Sequence, residues 1–286
     1  MRRVYSRTAE RAALVRAIEQ HQPIEKRIII DPYAINFLFK RPYRFMAGSR
    51  LRSRLLLWYL DYWAPGGQEF LTIRARLVDD LAVELANDGI DQIMILGAGF
   101  DTLALRLRES LSGVTIFEID HPSTQVVKRG IVQRLGLPGN VRFIAADLEK
   151  DNFIEKLCEA GFDPGRPLLI SWVGVSYYLT EAAVGRALRQ ISSISKPGTQ
   201  LVWDYILEEV VNGTSQDPDA LRKARNVTKL GEPWIFGLSP DQVAEYVASF
   251  GFRLIRDYEP TELRALYCMG RPAPVNYARI VVCERT

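Results

Sequence analysis

The stretch Ile93-Met94-Ile95-Leu96-Gly97-Ala98-Gly99-Phe100-Asp101-Thr102 constrains this chain more than any other: an apolar run with no polar alternation stops at two glycines and an acid. A strand that is apolar on both faces must be covered on both faces, which is the situation of a parallel strand between layers of helix. Gly97 and Gly99 let the backbone approach a ligand with no Cβ in the way, and a helix after the turn aims free N–H groups at it. The turn is therefore the expected seat of a nucleotide-like cofactor.

With 286 residues, 48% of them hydrophobic, the chain can bury a large core. The expected organisation is a helical cap over residues 1–66 and an α/β domain over residues 67–286, with a lid inserted at about 206–238. The 37 basic and 34 acidic residues leave a net charge of +3, too even to suggest nucleic acid or a membrane as partner. A small acidic molecule is the expected partner, and the chain is expected to be a monomer or homodimer. Cys158, Cys268 and Cys283 are far apart and only His21 and His121 could join them, so no metal site or disulfide framework is expected. The basic Met1-Arg2-Arg3 start lacks the apolar segment of a signal peptide, and no apolar run is long enough for a bilayer, so a soluble cytoplasmic protein is expected.

Along the chain, Ala9, Ala12, Ala13, Leu14, Ala17 and Ile18 place an apolar stripe on a helix over residues 6–20, capped by Ser6 or Thr8. Asp31-Pro32 begins a second helix. Arg41, Arg44, Arg50, Arg52 and Arg54 lead into the aromatic run ending Trp58-Tyr59-Leu60-Asp61-Tyr62-Trp63, which suits either a cap for a flat acidic substrate or packing contacts beside a solvated basic face. A helix over 70–86 carries Arg74, Arg76, Asp79 and Asp80. Arg74 and Asp80 could point towards the glycine turn, while Arg76 and Asp80 have the spacing of a surface ion pair.

A second strand, 114–120, ends in acids about twenty residues past the turn, where ribose hydroxyls are met in Rossmann-like folds. A carboxylate there can accept two hydrogen bonds from a cis-diol; Asp120 could equally cap the helix that follows His121-Pro122. Helices are expected over 124–135, 181–193 and 239–250, and strands over 141–148, 168–175, 198–205, 252–258 and 277–284. Weak helical signal between the last two strands favours a long hairpin, with the final strand antiparallel. Asp147 and Leu148 end the third strand, placed to accept from an adenine amine and to offer an apolar wall.

A glycine turn with an acid after the next strand is common to nicotinamide-binding and sulfonium-nucleoside-binding folds. Here Thr102 stands where a dinucleotide fold needs a small residue, and Asp101 would repel a pyrophosphate. A phosphate-free cationic cofactor tolerates both.

Taken together, Thr8-Ala9, Arg16-Ala17-x-Glu19, Asp31-Pro32-Tyr33-Ala34, Arg74-x-Arg76-x-x-Asp79-Asp80, Gly97-Ala98-Gly99-Phe100-Asp101-Thr102, Phe117-Glu118-x-Asp120-His121-Pro122 and Asp147-Leu148 resemble the leucine carboxyl methyltransferase family. The similarity is greatest to its bacterial branch, including the tetracenomycin carboxyl methyltransferase type. It implies a Rossmann-like class I methyltransferase fold, a seven-stranded mostly parallel sheet with an antiparallel last strand, and S-adenosyl-L-methionine as cofactor with S-adenosyl-L-homocysteine as product. It further implies that Arg74 holds the methionine carboxylate and that Gly97, Ala98, Gly99 and Asp101 line the cofactor. Asp120 and Glu118 would bind the ribose, and Asp147 and Leu148 the adenine. Where the family has Trp-Glu-Gly-Val-Thr-x-Tyr-Leu, this chain has Trp172-Val173-Gly174-Val175-Ser176-Tyr177-Tyr178-Leu179. Val173 and Gly174 then adjoin the methionine end without the family's carboxylate, which implies weaker cofactor binding, a different acceptor or a repurposed fold.

The expected reaction is methylation of a carboxylate of a small secondary metabolite, such as a polyketide-like or aromatic acid. A carboxylate is ionised at neutral pH and needs no general base. A hydroxyl acceptor would need one, with Tyr178 or His121 as candidates. Trp58, Tyr62, Tyr178, Tyr205 and Trp234 are the candidate acceptor-binding residues. A nucleotide-dependent oxidoreductase is the competing class.

Overall fold

The computed structural model describes residues 5–63, 65–136, 138–229 and 231–286, and for Trp63 the backbone only; the expectation about Met1-Arg2-Arg3 lies outside them. Helix α1 (Arg7–Glu19) is capped by the Ser6 hydroxyl, which accepts from the Ala9 N–H. Helices α2 (Arg41–Ala47) and α3 (Arg50–Trp63) form a hairpin, and α4 (Gly67–Asn87) leads into the sheet domain. The helix expected at Asp31-Pro32 is instead one short 3-10 turn, Ala34–Phe37. Asp31 still caps it, accepting from Tyr33 and Ala34 N–H, but its other oxygen is turned inward to Arg16.

Then follow β1 (Gln92–Leu96), α5 (Leu103–Arg106), β2 (Thr115–Asp120), α6 (Pro122–Leu135), β3 (Val141–Ala145), α7 (Ile154–Glu159), β4 (Leu169–Trp172) and α8 (Glu181–Ile194). The chain ends with β5 (Gln200–Ile206), α9 (Glu208–Val211), α10 (Pro218–Lys229), α11 (Pro240–Ala248), β6 (Phe252–Tyr258), α12 (Pro260–Tyr267) and β7 (Ala278–Arg285). The strands make one seven-stranded sheet in the order β3-β2-β1-β4-β5-β7-β6, with β7 antiparallel to both neighbours. This is the expected α/β class with an antiparallel last strand. The hairpin loop holds a helix, α12, because Leu263 buries itself against the core beneath the weak local pattern.

The two faces of the sheet carry separate cores. Ile93 and Ile95 of β1 join one with Ile73 and Leu77 of α4; Met94 and Leu96 join the other with Leu188 and Ile191 of α8. Period-two alternation with apolar residues on both sides is thus the direct consequence of two helical layers. A third cluster, with Leu14 and Ile18 of α1, Phe37, Phe100 and Ile131, fastens the N-terminal helices to the turn after β1. The segment 206–238 is not a bare loop: α10 lies within it, with Asp217 accepting from the N–H groups of Asp219 and Ala220 at its start.

Candidate functional site

Strand order reverses between β1 and β4, and in such sheets ligands collect beyond the strand ends at that point. A cavity of about 460 Å³ opens there, walled by the turn after β1, the segment after β4, α1, α4 and α10. Gly97 has φ +67°, and a Cβ on it would lie 2.3 Å from Val175 Cγ2. Gly174 has φ +82°, and a Cβ there would lie 2.6 Å from the Arg74 guanidinium. Both positions need glycine for conformation and for space.

The Asp120 carboxylate reaches the cavity wall from the end of β2, held by the N–H groups of Gly99 and His121. Burial raises its pKa, with the two N–H donors and Lys128 pulling the other way. Its remaining lone pairs can accept from a ligand's hydroxyls.

The residues gathered from distant parts of the sequence meet beneath the turn. Arg16 donates to Asp31 (2.8 Å) and to the Phe100 carbonyl (2.6 Å), and Thr102 donates its hydroxyl to Asp31 (2.7 Å). Arg106 bridges Asp79 (2.6 Å) and Asp101 (2.8 Å). Asp101 also accepts from the N–H groups of Thr102 and Leu103, capping α5, and faces the cavity. Burial works to raise its pKa, but Arg106, Arg16 and Lys128 outweigh it and hold the carboxyl below the ordinary range. Two arginines and three aspartates thus fix the turn in place as a buried network.

Arg74 is on the cavity wall, as its expected role requires, and is also tied behind it. Its Nη1 donates to Asp204 (2.9 Å) and to the Tyr177 hydroxyl (2.9 Å), while Asp204 accepts from the Gly174 N–H at 2.6 Å. Asp204 is fully buried, so burial raises its pKa while Arg74 and the Gly174 N–H oppose the rise. Arg74 itself, despite a burial cost, is pushed above its ordinary value by Tyr177 and Asp204 and stays charged.

Of the expected cofactor residues, Arg74, Gly97, Ala98, Gly99, Asp101, Asp120, Val173 and Gly174 share this cavity. Glu118 is not on its wall. It is buried and paired with Lys128 Nζ at 2.5 Å. Asp147 and Leu148 also lie outside the wall, beside it: the Ala146 N–H donates to the Asp120 carbonyl, Asp147 caps its own turn through the Glu149 N–H, and Leu148 packs on the second core.

Of the expected acceptor residues, Tyr178 and Trp234 line the cavity. Trp58 and Tyr62 point outward and are 70% and 68% exposed, because the opposite side of α3, carrying Leu56 and Leu60, faces the cavity. Tyr205 is buried behind β5 with its hydroxyl on Asp257. His121 is exposed, its ring accepting from the Ser123 N–H at the start of α6, so it is a helix cap and not a cavity base. Asp80 pairs with Arg76 at 2.7 Å on the surface and does not approach the turn.

Asp204, Lys223, Arg11 and Tyr177 belong to the site and were not among the expected residues. Asp204 had a signal: an acid inside the apolar strand Leu201-Val202-Trp203-Asp204-Tyr205 needs a buried partner. Lys223 had none, since α10 comes to the cavity only by tertiary packing. The side chains of Lys223 and Arg11 line the cavity with no side-chain hydrogen bond or ion pair among the described residues. Burial, with Arg11 nearby, lowers the Lys223 pKa to about 8. No group of side chains suited to a metal ion occurs among the described residues, and none of their helices is long and apolar enough to cross a membrane.

Comparison with known proteins agrees with this geometry. The leucine carboxyl methyltransferase family matches residues 9–192, which is more than half of the chain. The chain belongs to the leucine carboxyl methyltransferase family. Among curated relatives, the Bacillus subtilis protein named "Putative S-adenosyl-L-methionine-dependent methyltransferase YktD" is 29% identical over 64% of this chain and 60% of its own length. A Mycolicibacterium paratuberculosis relative of the same description is 36% identical over 58% of this chain and 51% of its own. The chain thus spans about half to three fifths of these relatives. A Frankia alni relative, again so described, is 30% identical over 86% of this chain and 81% of its own. A solved Thermobifida fusca structure described as "a putative methyltransferase" shares the fold at a TM-score of 0.60, with 19% identity over 94% of this chain and 97% of that one. A Streptomyces avermitilis structure does so at 0.62, with 14% identity over 95% and 97%.

The cavity residues fit the cofactor for which the family's relatives are named. Two carboxylates, Asp101 and Asp120, border it: Asp101 beside the turn disfavours a pyrophosphate there and suits a cationic sulfonium, and the glycine turn leaves room for close backbone approach.

Proposed function

We propose that this chain transfers a methyl group from S-adenosyl-L-methionine to the carboxylate of a small acid, the secondary-metabolite class being the expected source. The observation that carries the acceptor assignment is the pair of cations, Lys223 and Arg11, lining the cavity without acidic partners among the described residues. A half-buried ammonium without a counterion is partly desolvated at a cost, so a ligand anion that neutralises it gains binding energy.

Bound S-adenosyl-L-methionine supplies an activated methyl on a sulfonium. Asp120 would hold the ribose hydroxyls, Arg74 and Gly174 would border the methionine end, and Asp101 would suit the cationic sulfur. Lys223 and Arg11 orient the acceptor carboxylate, and the apolar walls from Leu56, Leu60 and Trp234 keep water from it. No proton has to be removed, which accords with the tyrosines present: burial pushes Tyr178 up to about 12 and Tyr177 well above its ordinary value, so neither serves as a base near neutral pH. Catalysis is then alignment and exclusion of water.

A second reading is favoured by the same lysine. With a pKa near 8, neutral Lys223 could take a proton from a hydroxyl acceptor. The pH profile separates the two. Carboxylate binding needs the ammonium, so acceptor KM rises above about pH 8; general-base use needs the amine, so kcat/KM rises through that pH. Transfer of labelled methyl to a panel of aromatic and aliphatic acids and their hydroxyl analogues, with wild type and Lys223→Met, is the direct test. The carboxylate reading requires base-labile methyl esters and a raised acceptor KM at unchanged cofactor affinity in the variant. Tight cofactor binding with no product from any acid would favour the repurposed fold that Val173 suggests, and binding of NADH alone would overturn both.

A further inference from the structure

The whole-chain charge balance hides a local one. Between Pro32 and Leu60 there is no aspartate or glutamate, against Lys40, Arg41, Arg44, Arg50, Arg52 and Arg54. In the structure Arg41, Arg44, Arg50 and Arg54 are exposed and carry no ion pair among the described residues. Leu51, Leu55, Trp58 and Tyr62 follow one another at the spacing of a single helix face and are 57–70% exposed, and Phe45 of α2 is exposed as well. Arg52 packs its guanidinium over the Phe45 ring at 4.0 Å, and Trp58 stacks on Tyr62. At 100° per residue, Arg54 flanks the apolar stripe on one side and Arg52 on the other, while Leu56 and Leu60 on the opposite side line the cavity.

We propose that the α2–α3 hairpin docks the protein on an anionic lipid surface. A stripe of leucine, tryptophan and tyrosine bordered by arginines is the composition of a helix that lies in a bilayer interface, its rings at headgroup depth and its cations on lipid phosphates. Charge complementarity selects this occupant over a second copy of the chain, since the same hairpin of that copy could offer the arginines no carboxylate but Asp61. The docked helix would sit between the lipid and the cavity that its Leu56 and Leu60 line.

The test is binding of the full chain to large unilamellar vesicles, by co-sedimentation and tryptophan emission, without cofactor or acceptor, so it is independent of the proposed reaction. The expected result is partitioning about tenfold or more stronger into phosphatidylcholine containing phosphatidylglycerol than into phosphatidylcholine alone, lost at high salt. Arg50→Glu/Arg54→Glu should abolish the preference, and Trp58→Ser should remove the blue shift on binding. These exposed positions lie outside the cavity, and unchanged circular dichroism and thermal midpoint confirm folding. Equal binding to both vesicles, no binding to either, or binding that survives charge reversal overturns the proposal. So does a concentration-dependent dimer that Trp58→Ser dissociates and vesicles do not compete for.

Discussion

Replacing Asp204 by asparagine tests whether Arg74 is held from behind as well as facing a ligand. The Asp204 side chain is fully buried and that of Arg74 only 11% exposed, and the variant keeps the size of the residue while removing its charge. An arginine cannot escape by losing its proton as a lysine can, so the guanidinium would be left buried without a counterion. Breaking one side of a buried pair costs about 3–5 kcal/mol. At about 2–4 °C per kcal/mol for large domains, and with this chain at the low end of that range, the unfolding midpoint should fall by about 6–10 °C. Replacing both partners, as in Arg74→Met/Asp204→Leu, should recover most of the loss, because apolar groups of similar size leave no stranded charge. Thermal and urea unfolding measure the cycle, and titration calorimetry with S-adenosyl-L-homocysteine measures its functional side. If Arg74 also receives the cofactor's carboxylate, the double variant should be stable and bind weakly, while Asp204→Asn should be stabilised more by ligand than wild type is. A loss below about 1 kcal/mol in Asp204→Asn would refute the pairing. A stable double variant with undiminished affinity would refute the ligand contact.

Three further outcomes are expected. Asp120→Ala removes a charge-assisted hydrogen-bond acceptor at the end of β2 and should weaken S-adenosyl-L-homocysteine binding about ten- to a hundredfold by calorimetry. Gly97→Ala must place a methyl group 2.3 Å from Val175 at a φ of +67°, so it should destabilise by more than about 1 kcal/mol and lose cofactor binding, read by thermal shift with and without ligand. Val173→Glu should tighten cofactor binding if the family's carboxylate can be restored on this wall; unchanged affinity would mean that the pocket has been rebuilt around the valine.

Ile93–Thr102 by itself determined the class of fold and the place of the cavity. Strands buried on both faces must be apolar throughout, and a turn that meets a ligand must spare its Cβ atoms; both are local requirements written locally. The same holds for Asp120, whose position follows from being at the end of the next strand, and for the antiparallel β7, whose approach was signalled by a connection lacking a clear crossover helix. What a residue faces was less legible. Glu118 and Asp120 share a face by period two, yet two residues along the strand is the difference between a core pair with Lys128 and the cavity wall. Trp58 and Tyr62 read as pocket aromatics from composition, but helix rotation, set by the packing of Leu56 and Leu60, turned them outward.

Only the tertiary structure decided how charges are paired. Arg16, Asp31, Asp79, Asp101 and Arg106 come from four separate segments, and nothing in their spacing says that they meet under one turn. Arg74 finds Asp204 across 130 residues, and Lys223 reaches the cavity although its helix begins in what reads as a polar loop. Backbone conformation and burial pattern are set by neighbours in the chain, so sequence carries them. The free energy of a buried charge is set by whatever lies within a few ångströms of it, and that is known only once the chain has folded.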